Sequence, residues 1–309
     1  MARPLRIEYP GALYHVTSRG NERKDVFKSR RDREQFLSYL ESATERYGAV
    51  IHSWCLMGNH YHLLLETPEG NLSQIMRHIN GAYTTYFNAK RKRSGHLFQG
   101  RYKAILVEAD AYAAELSRYI HLNPVKAGVV KRPEEYVWSS YRSYIRLATS
   151  PRWLHTGFIF GYFSEKDSAG AYRKFVAEGL IQDIESPMEK VIAATILGRP
   201  EFVSEVSRQH LAGKQPERNL PALKRLNRPT LDEIITGIEQ ALPDQSVRAR
   251  NICLYFCHRY SGARLREIGE QFGLSDAAVS QASRRVRVAS ERDREIRGML
   301  EEIAGKLGL

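Results

Sequence analysis

Val50-Ile51-His52-Ser53-Trp54-Cys55-Leu56-Met57, the pair Gly58-Asn59, and His60-Tyr61-His62-Leu63-Leu64-Leu65-Glu66 follow one another. Two runs of strand formers split by two turn residues read as a β-hairpin, and the rest of the fold builds outward from it. Upstream, Ala12-Leu13-Tyr14-His15-Val16-Thr17-Ser18-Arg19 is rich in β-formers and runs into Gly20-Asn21, which predicts a strand and a turn. Between the two, Arg30 to Tyr47 carries Phe36, Leu37, Leu40 and Ala43 at helical spacing, with Gly48 as a stop. Downstream, Leu72 to Lys92 repeats the helical period with Ile75, Met76, Ile79, Tyr83, Tyr86 and Phe87. Phe98 to Val107 predicts a further strand, and Asp110 can cap a helix that should end near Asn123, because a residue before proline disfavours the helical conformation. The order β-α-β-β-α-β plus a helix predicts an α+β, ferredoxin-like antiparallel sheet, with helices on one face and the other left for a site.

A chain of 309 residues is long enough for two domains. The pattern divides it into 1–150, an extension and linker over 151–229, and a helical domain over 230–309. Gly213 to Pro229 reads as a linker because Pro216, Pro221 and Pro229 stand there among basic and polar residues. Lys and Arg outnumber Asp and Glu to leave a net +12, which favours a polyanionic partner, nucleic acid first. No run approaches the length of apolar sequence that a spanning helix needs, so a soluble protein with no membrane partner is expected. The opening residues lack the apolar stretch of a secretory signal, and three cysteines fit a reducing cytoplasm better than a disulfide framework. A monomer or a homodimer fits this pattern.

The chemistry concentrates in two short segments. Along a strand side chains alternate, so His60 and His62 project together while Tyr61, Leu63 and Leu65 point the other way. Two adjacent imidazoles can start a divalent-cation site, although two strand histidines alone also fit a half-exposed edge pair. In Ser117-Arg118-Tyr119-Ile120-His121-Leu122-Asn123-Pro124, Tyr119 and Asn123 stand one helical turn apart and present a phenol and an amide oxygen on one face. His121 points away from Tyr119 by the same spacing and receives no catalytic role. His15, His52, His78 and His96 read as structural or substrate-facing.

These segments, together with Gly11-Ala12-Leu13-Tyr14-His15-Val16, Arg19-Gly20-Asn21, Met57-Gly58-Asn59-His60-Tyr61-His62-Leu63-Leu64, Gly100-Arg101-Tyr102-Lys103 and Tyr119-Ile120-His121-Leu122-Asn123-Pro124-Val125, give the first 145 or so residues a clear likeness. The sequence resembles the single-tyrosine transposases of the HUH class, in the branch associated with repetitive extragenic palindromes. The resemblance implies an HUH nuclease fold, His60, His62 and Asn123 as ligands of Mg²⁺ or Mn²⁺, and Tyr119 as the nucleophile that forms a 5′-phosphotyrosine link. It further implies single-stranded, hairpin-forming DNA as the substrate. Tyr61 departs from the family, which usually places an aliphatic residue between the two histidines. A non-catalytic DNA-binding regulator of transposase descent, or a relaxase-type or replication-type nickase, would share the same motifs.

Basic and aromatic residues cluster around these motifs. Arg19, Arg23 and Lys24 follow the first strand, Arg93 closes the basic run after the second helix, and Phe98, Arg101, Tyr102 and Lys103 lie beyond it. Charge that tracks a backbone beside rings that stack bases is the usual grip on a single strand, and a solvated charged face is the competing reading. Near the end, Ala263 to Ala282 reads as a helix, a Gly turn, a Ser cap and a second helix, a helix-turn-helix pattern resembling the C-terminal DNA-binding domain of the replication initiator DnaA. Ser280, Gln281, Arg284 and Arg285 would then face duplex DNA, and a plain helical hairpin is the alternative. Cys253, Cys257 and His258 suggest a metal, but cysteines at i and i+4 on an apolar helix are usually core residues, and no fourth ligand accompanies the three.

Overall fold

A computed structural model describes residues 6–163, 166–181, 185–192, 194–211, 229–243 and 246–307. Residues 1–5 of the opening segment, and all of the Gly213–Pro229 linker except Pro229, lie outside the described residues. The chain divides into two compact units, Met1–Ala222 and Leu223–Leu309.

The first unit begins with strand β1 (Ala12–Arg19), helix α1 (Arg30–Tyr47) and the hairpin strands β2 (Val50–Leu56) and β3 (His60–Thr67). Helix α2 (Leu72–Lys90), strand β4 (Lys103–Val107) and helix α3 (Ala109–Lys126) follow. Four strands pair antiparallel in the order β2-β3-β1-β4, as the α+β reading expects, and a two-residue β5 (Ile196–Leu197) adds to β4 in parallel. On one face Tyr61 meets α1 through Phe36, with ring centroids 4.7 Å apart. On the other, Leu13, Cys55, Leu64 and Val107 are buried with Leu116 and Ile120 of α3. The two helices of the split motif thus share one face, and α3 takes the site-bearing one.

Three boundaries differ from the sequence reading. Helix α3 does not stop before Pro124 but continues to Lys126. Proline's fixed φ is helical, and its missing N–H loosens one bond near the end of the helix. Asn123 Nδ2 donates to the Tyr119 carbonyl at 3.0 Å, and Val129 N bonds the Pro124 carbonyl at 2.9 Å, so the last turn closes regardless. The N-cap of α3 is Glu108, not Asp110, which lies in the first turn. The fourth strand is shorter than Phe98–Val107: Gly100 takes a left-handed conformation (φ +68°), and only an isolated bridge from Phe98 to Gly20 precedes β4.

Beyond α3 the chain still belongs to this unit. Tyr136 to Ser140 runs along the free edge of β2, where Leu56 N bonds the Trp138 carbonyl at 2.9 Å. The short helices α4 (Tyr141–Tyr144) and α5 (Gly157–Phe160) lead to α6 (Ser168–Ile181), which lies against α3. The approach is close: a Cβ added at Gly179 would lie 2.8 Å from Leu122 Cδ1, so a larger residue there would have to push that side chain aside. Helix α7 (Pro200–Val206) follows β5.

The second unit comprises α8 (Leu231–Ala241), α9 (Val247–Phe256), α10 (Leu265–Phe272), α11 (Asp276–Arg292) and α12 (Arg294–Lys306) around Ile234, Ile252, Phe256, Ile268 and Val279. The turn between α10 and α11 is tight, with Gly273 at φ +64° and Ser275 Oγ accepting from Ala278 N. A Cβ at Gly269 would stand 2.4 Å from the Leu274 carbonyl oxygen, so this glycine sets how sharply the chain can turn.

Candidate active site

Residues paired across antiparallel strands share a sheet face, and the β1–β3 register pairs Arg19 with His60, Thr17 with His62 and His15 with Leu64. Arg19, His15, His60 and His62 therefore all project toward α3. Lys103 pairs with Thr17 from the other side and joins the same face. Helix α3 brings Tyr119 over this row: its ring lies edge-on to His62 at 5.9 Å and to His15 at 6.0 Å between centroids. Asn123, one turn on, is half-buried beside it. The two strand imidazoles and the helix-borne phenol meet within a single chain.

The ring nitrogens are differently occupied. His60 Nδ1 sits 2.6 Å from Asn59 Oδ1, which can only accept, so His60 carries its proton there and keeps a lone pair on Nε2. His62 Nδ1 and His15 Nε2 are 2.9 Å apart, while His62 Nε2 and His15 Nδ1 are buried without a partner. A buried nitrogen with nothing to bond is costly unless something else occupies that space. Its position beside His60, with Asn123 against the neighbouring Tyr119, fits a divalent cation with two imidazole ligands and one amide oxygen. Among the described residues, no three or more His, Cys, Asp and Glu side chains gather to hold a metal.

Burial holds all three imidazoles neutral, the form in which a ring nitrogen can ligate. It lowers His15 to about 3 and His60, with help from the Arg19 charge, to about 4. His62 falls well below its ordinary value through burial and then the neighbouring His15, His60 and Arg19. Tyr119 is raised by burial, opposed by its hydrogen bond with the Asn123 side chain and by the Arg19 charge. Arg19 thus favours negative charge at the place where a phosphate and a phenolate would sit.

The remaining basic residues fall into groups. Arg23 and Lys24 are exposed beyond β1, Lys24 paired with Glu22 at 2.6 Å. An open cleft of about 580 Å³ is lined by Arg6, Arg77, Asn80, Phe98, Arg101 and Tyr102, among others. Phe98 does not serve as an open stacking platform: it is 6% exposed, with its ring packed near Tyr61 and Tyr83. Tyr102 is half-buried with the Arg6 guanidinium 4.3 Å above its ring. Arg93 is exposed and donates to the His96 carbonyl at 3.1 Å. In the second unit Ser280, Gln281, Arg284 and Arg285 are exposed on α11, whereas Val279, Ala282, Ser283 and Val286 turn inward.

Two residues near Tyr119 were not singled out by sequence. Lys126 Nζ stands 6.0 Å from the Tyr119 ring centre, and its place seven residues on, two helical turns, was the available signal. His15 touches His62 across the sheet, which only the strand register discloses. His121 is fully buried between Tyr172 and Ser140, at 2.6 and 2.7 Å.

Residues 9–123 match the model of the family described as transposase IS200 like. A Haemophilus influenzae protein described as a REP-associated tyrosine transposase is 26% identical over 128 residues, which cover 38% of this chain and 73% of that protein. A solved structure of a REP-associated tyrosine transposase bound to a REP hairpin aligns with a TM-score of 0.42 at 18% identity, over 50% of this chain and 92% of that one. The family match runs through both strand histidines, Tyr119 and Asn123.

Proposed function

We propose that this protein cuts and rejoins single-stranded DNA at hairpin-forming palindromic sites, with Tyr119 as nucleophile and His60, His62 and Asn123 as the ligands of Mg²⁺ or Mn²⁺. The observation that carries the reading is the meeting of the Tyr119 ring with His62, 5.9 Å between centroids, beside a buried nitrogen that has no partner. When bound, the cation would draw charge from a non-bridging phosphate oxygen and orient the leaving group. Arg19 supplies a fixed positive charge for the scissile phosphate. Tyr119 Oη attacks phosphorus as its proton leaves, the bond to the 3′ oxygen breaks, and a 5′-phosphotyrosine with a free 3′-hydroxyl results. The phosphotyrosine conserves the bond energy, so the reverse attack by a 3′-hydroxyl rejoins the strand without ATP.

The test is to incubate the full chain with a single-stranded hairpin and Mn²⁺ and look for a protein–DNA adduct that survives denaturation. A DNA-binding regulator gives none, and its absence sinks the enzymatic reading. His60→Ala and His62→Ala are each expected to lower cleavage by roughly 10²-fold and to weaken Mn²⁺ binding, because each removes a ligand; full cleavage by either would remove that residue from the site.

The cationic surface also has a measurable consequence. Affinity for the hairpin should fall steeply between low and physiological salt, since each neutralised phosphate releases counterions. On this reading the exposed face of α11 contacts duplex DNA, so Arg284→Ala with Arg285→Ala should weaken duplex binding and flatten its salt dependence while leaving hairpin adduct formation in place. Unchanged duplex affinity in the double variant would return the C-terminal helices to a purely structural role.

A further inference from the structure

We propose that His15 is a positioning residue for the cation site, accepting the Nδ1 proton of His62 and so turning the lone pair of His62 Nε2 toward the metal. The inference rests on the reading of His60 and His62 as ligands. It concerns a residue outside that set, on a different strand.

A neutral imidazole carries one proton, and which nitrogen holds it decides what the other can do. His15 and His62 are 2% and 6% exposed, with nearly parallel rings, 9° between planes, and the 2.9 Å approach joins Nε2 of one to Nδ1 of the other. Two arrangements satisfy this contact. If His15 donates, the His62 proton lies on Nε2, and an N–H points into the space where no acceptor stands. If His62 donates, its Nε2 presents a lone pair there and the His15 proton moves to Nδ1. Only the second arrangement is compatible with a cation beside His60, and a bound cation would select it.

The geometry suits an orienting role. Metal-bound histidines commonly donate their second N–H to a fixed acceptor, which sets tautomer and ring plane. That acceptor is often a carboxylate, but a negative charge here would lie close to Tyr119 and the scissile phosphate. A neutral imidazole fixes the same tautomer without adding charge. His15 lies on β1, held between β3 and β4, so the acceptor is mounted on a central strand. Its ring is also edge-on to Tyr119, which restricts rotation away from His62.

The test is a Mn²⁺ titration of the full-length protein followed by electron paramagnetic resonance, on the unaltered chain, His62→Ala, His15→Leu and His15→Gln. His15→Leu should weaken Mn²⁺ binding by roughly 10- to 100-fold, the usual effect of losing an orienting partner. His15→Gln should restore most of the affinity, because its amide oxygen reaches about as far as Nε2 and accepts from the same N–H. Long-range ¹H–¹⁵N spectra of the unaltered, Mg²⁺-loaded protein should show His62 protonated on Nδ1, a readout that holds even if His15→Leu fails to fold. Undiminished Mn²⁺ affinity in a folded His15→Leu protein, or a His62 proton on Nε2, overturns the proposal. If the unaltered chain binds no Mn²⁺ and His62→Ala behaves identically, the cation site itself is refuted, and the role of His15 falls with it.

Discussion

Tyr119→Phe is expected to abolish the denaturation-resistant adduct and to lower cleavage on the order of 10³-fold or more, because it removes the oxygen that attacks phosphorus. Tyr172, whose hydroxyl bonds Ser117 at 2.7 Å and His121 at 2.6 Å, is fully buried and cannot reach DNA. The fold should tolerate the change. The ring keeps its edge-on packing against His15 and His62, and the half-buried hydroxyl gives up a hydrogen bond of about 1 kcal/mol net at most. Hairpin affinity and Mn²⁺ binding should therefore persist, which gel shift and metal titration would check. An adduct of normal yield from the phenylalanine variant would transfer the nucleophile elsewhere and remove the main support for the mechanism.

Asp32→Ala is expected to be the most damaging single change to stability, costing about 3 kcal/mol or more in urea unfolding. Asp32 is fully buried in the first turn of α1 and receives Lys90 Nζ at 2.8 Å, the Arg91 guanidinium, Tyr86 Oη at 3.3 Å and Lys28 N at 2.9 Å. It ties the start of α1 to the end of α2, and its removal leaves two cations facing an empty space. Burial alone would raise its pKa; the hydrogen bonds from Lys90 and Arg91 outweigh that and hold it down to about 2. Its contribution is complete above the unfolded carboxyl value near 4 and is lost as pH falls toward about 2. The unaltered protein should thus lose stability over that acid range more steeply than Asp32→Ala. Equal slopes would show that the charge is not what the pocket holds.

Much of the first unit was legible because its segments obey a single period each. Arg30 to Tyr47 reads as a helix from Phe36, Leu40 and Ala43, and the hairpin from alternation on either side of Gly58-Asn59; both elements form where the pattern puts them. Local rules failed where tertiary packing overrode them. Pro124 should have ended α3, yet it is itself buried in that helix, and packing carries the chain one turn further. Phe98 reads as a base-stacking ring beside Arg101 and Tyr102, but a loop aromatic gives no local sign of which way it will face. His15 looked ordinary because its contact with His62 depends on the alignment of β1 with β3, forty-seven residues apart in sequence. Residues 151 to 212 carried no dominant period, and α5 and α6 take their place through contacts with α3 that no local pattern encodes.

Those contacts bear on how small a portable version of the N-terminal unit can be made. Ser53, Ser117, Tyr172, His121 and Ser140 form one buried chain of hydrogen bonds, each between 2.7 and 2.8 Å apart from the 2.6 Å His121–Tyr172 contact. Ser117 fastens α3 to β2 through Ser53, and a phenol supplied by α6 bridges Ser117 to His121, while β5 shields the outer edge of β4. Trimming the gene after the recognisable motifs would strand a serine and a histidine in an unfilled hollow and bare a sheet edge to other molecules. A minimal tool built on this scaffold has to run through β5.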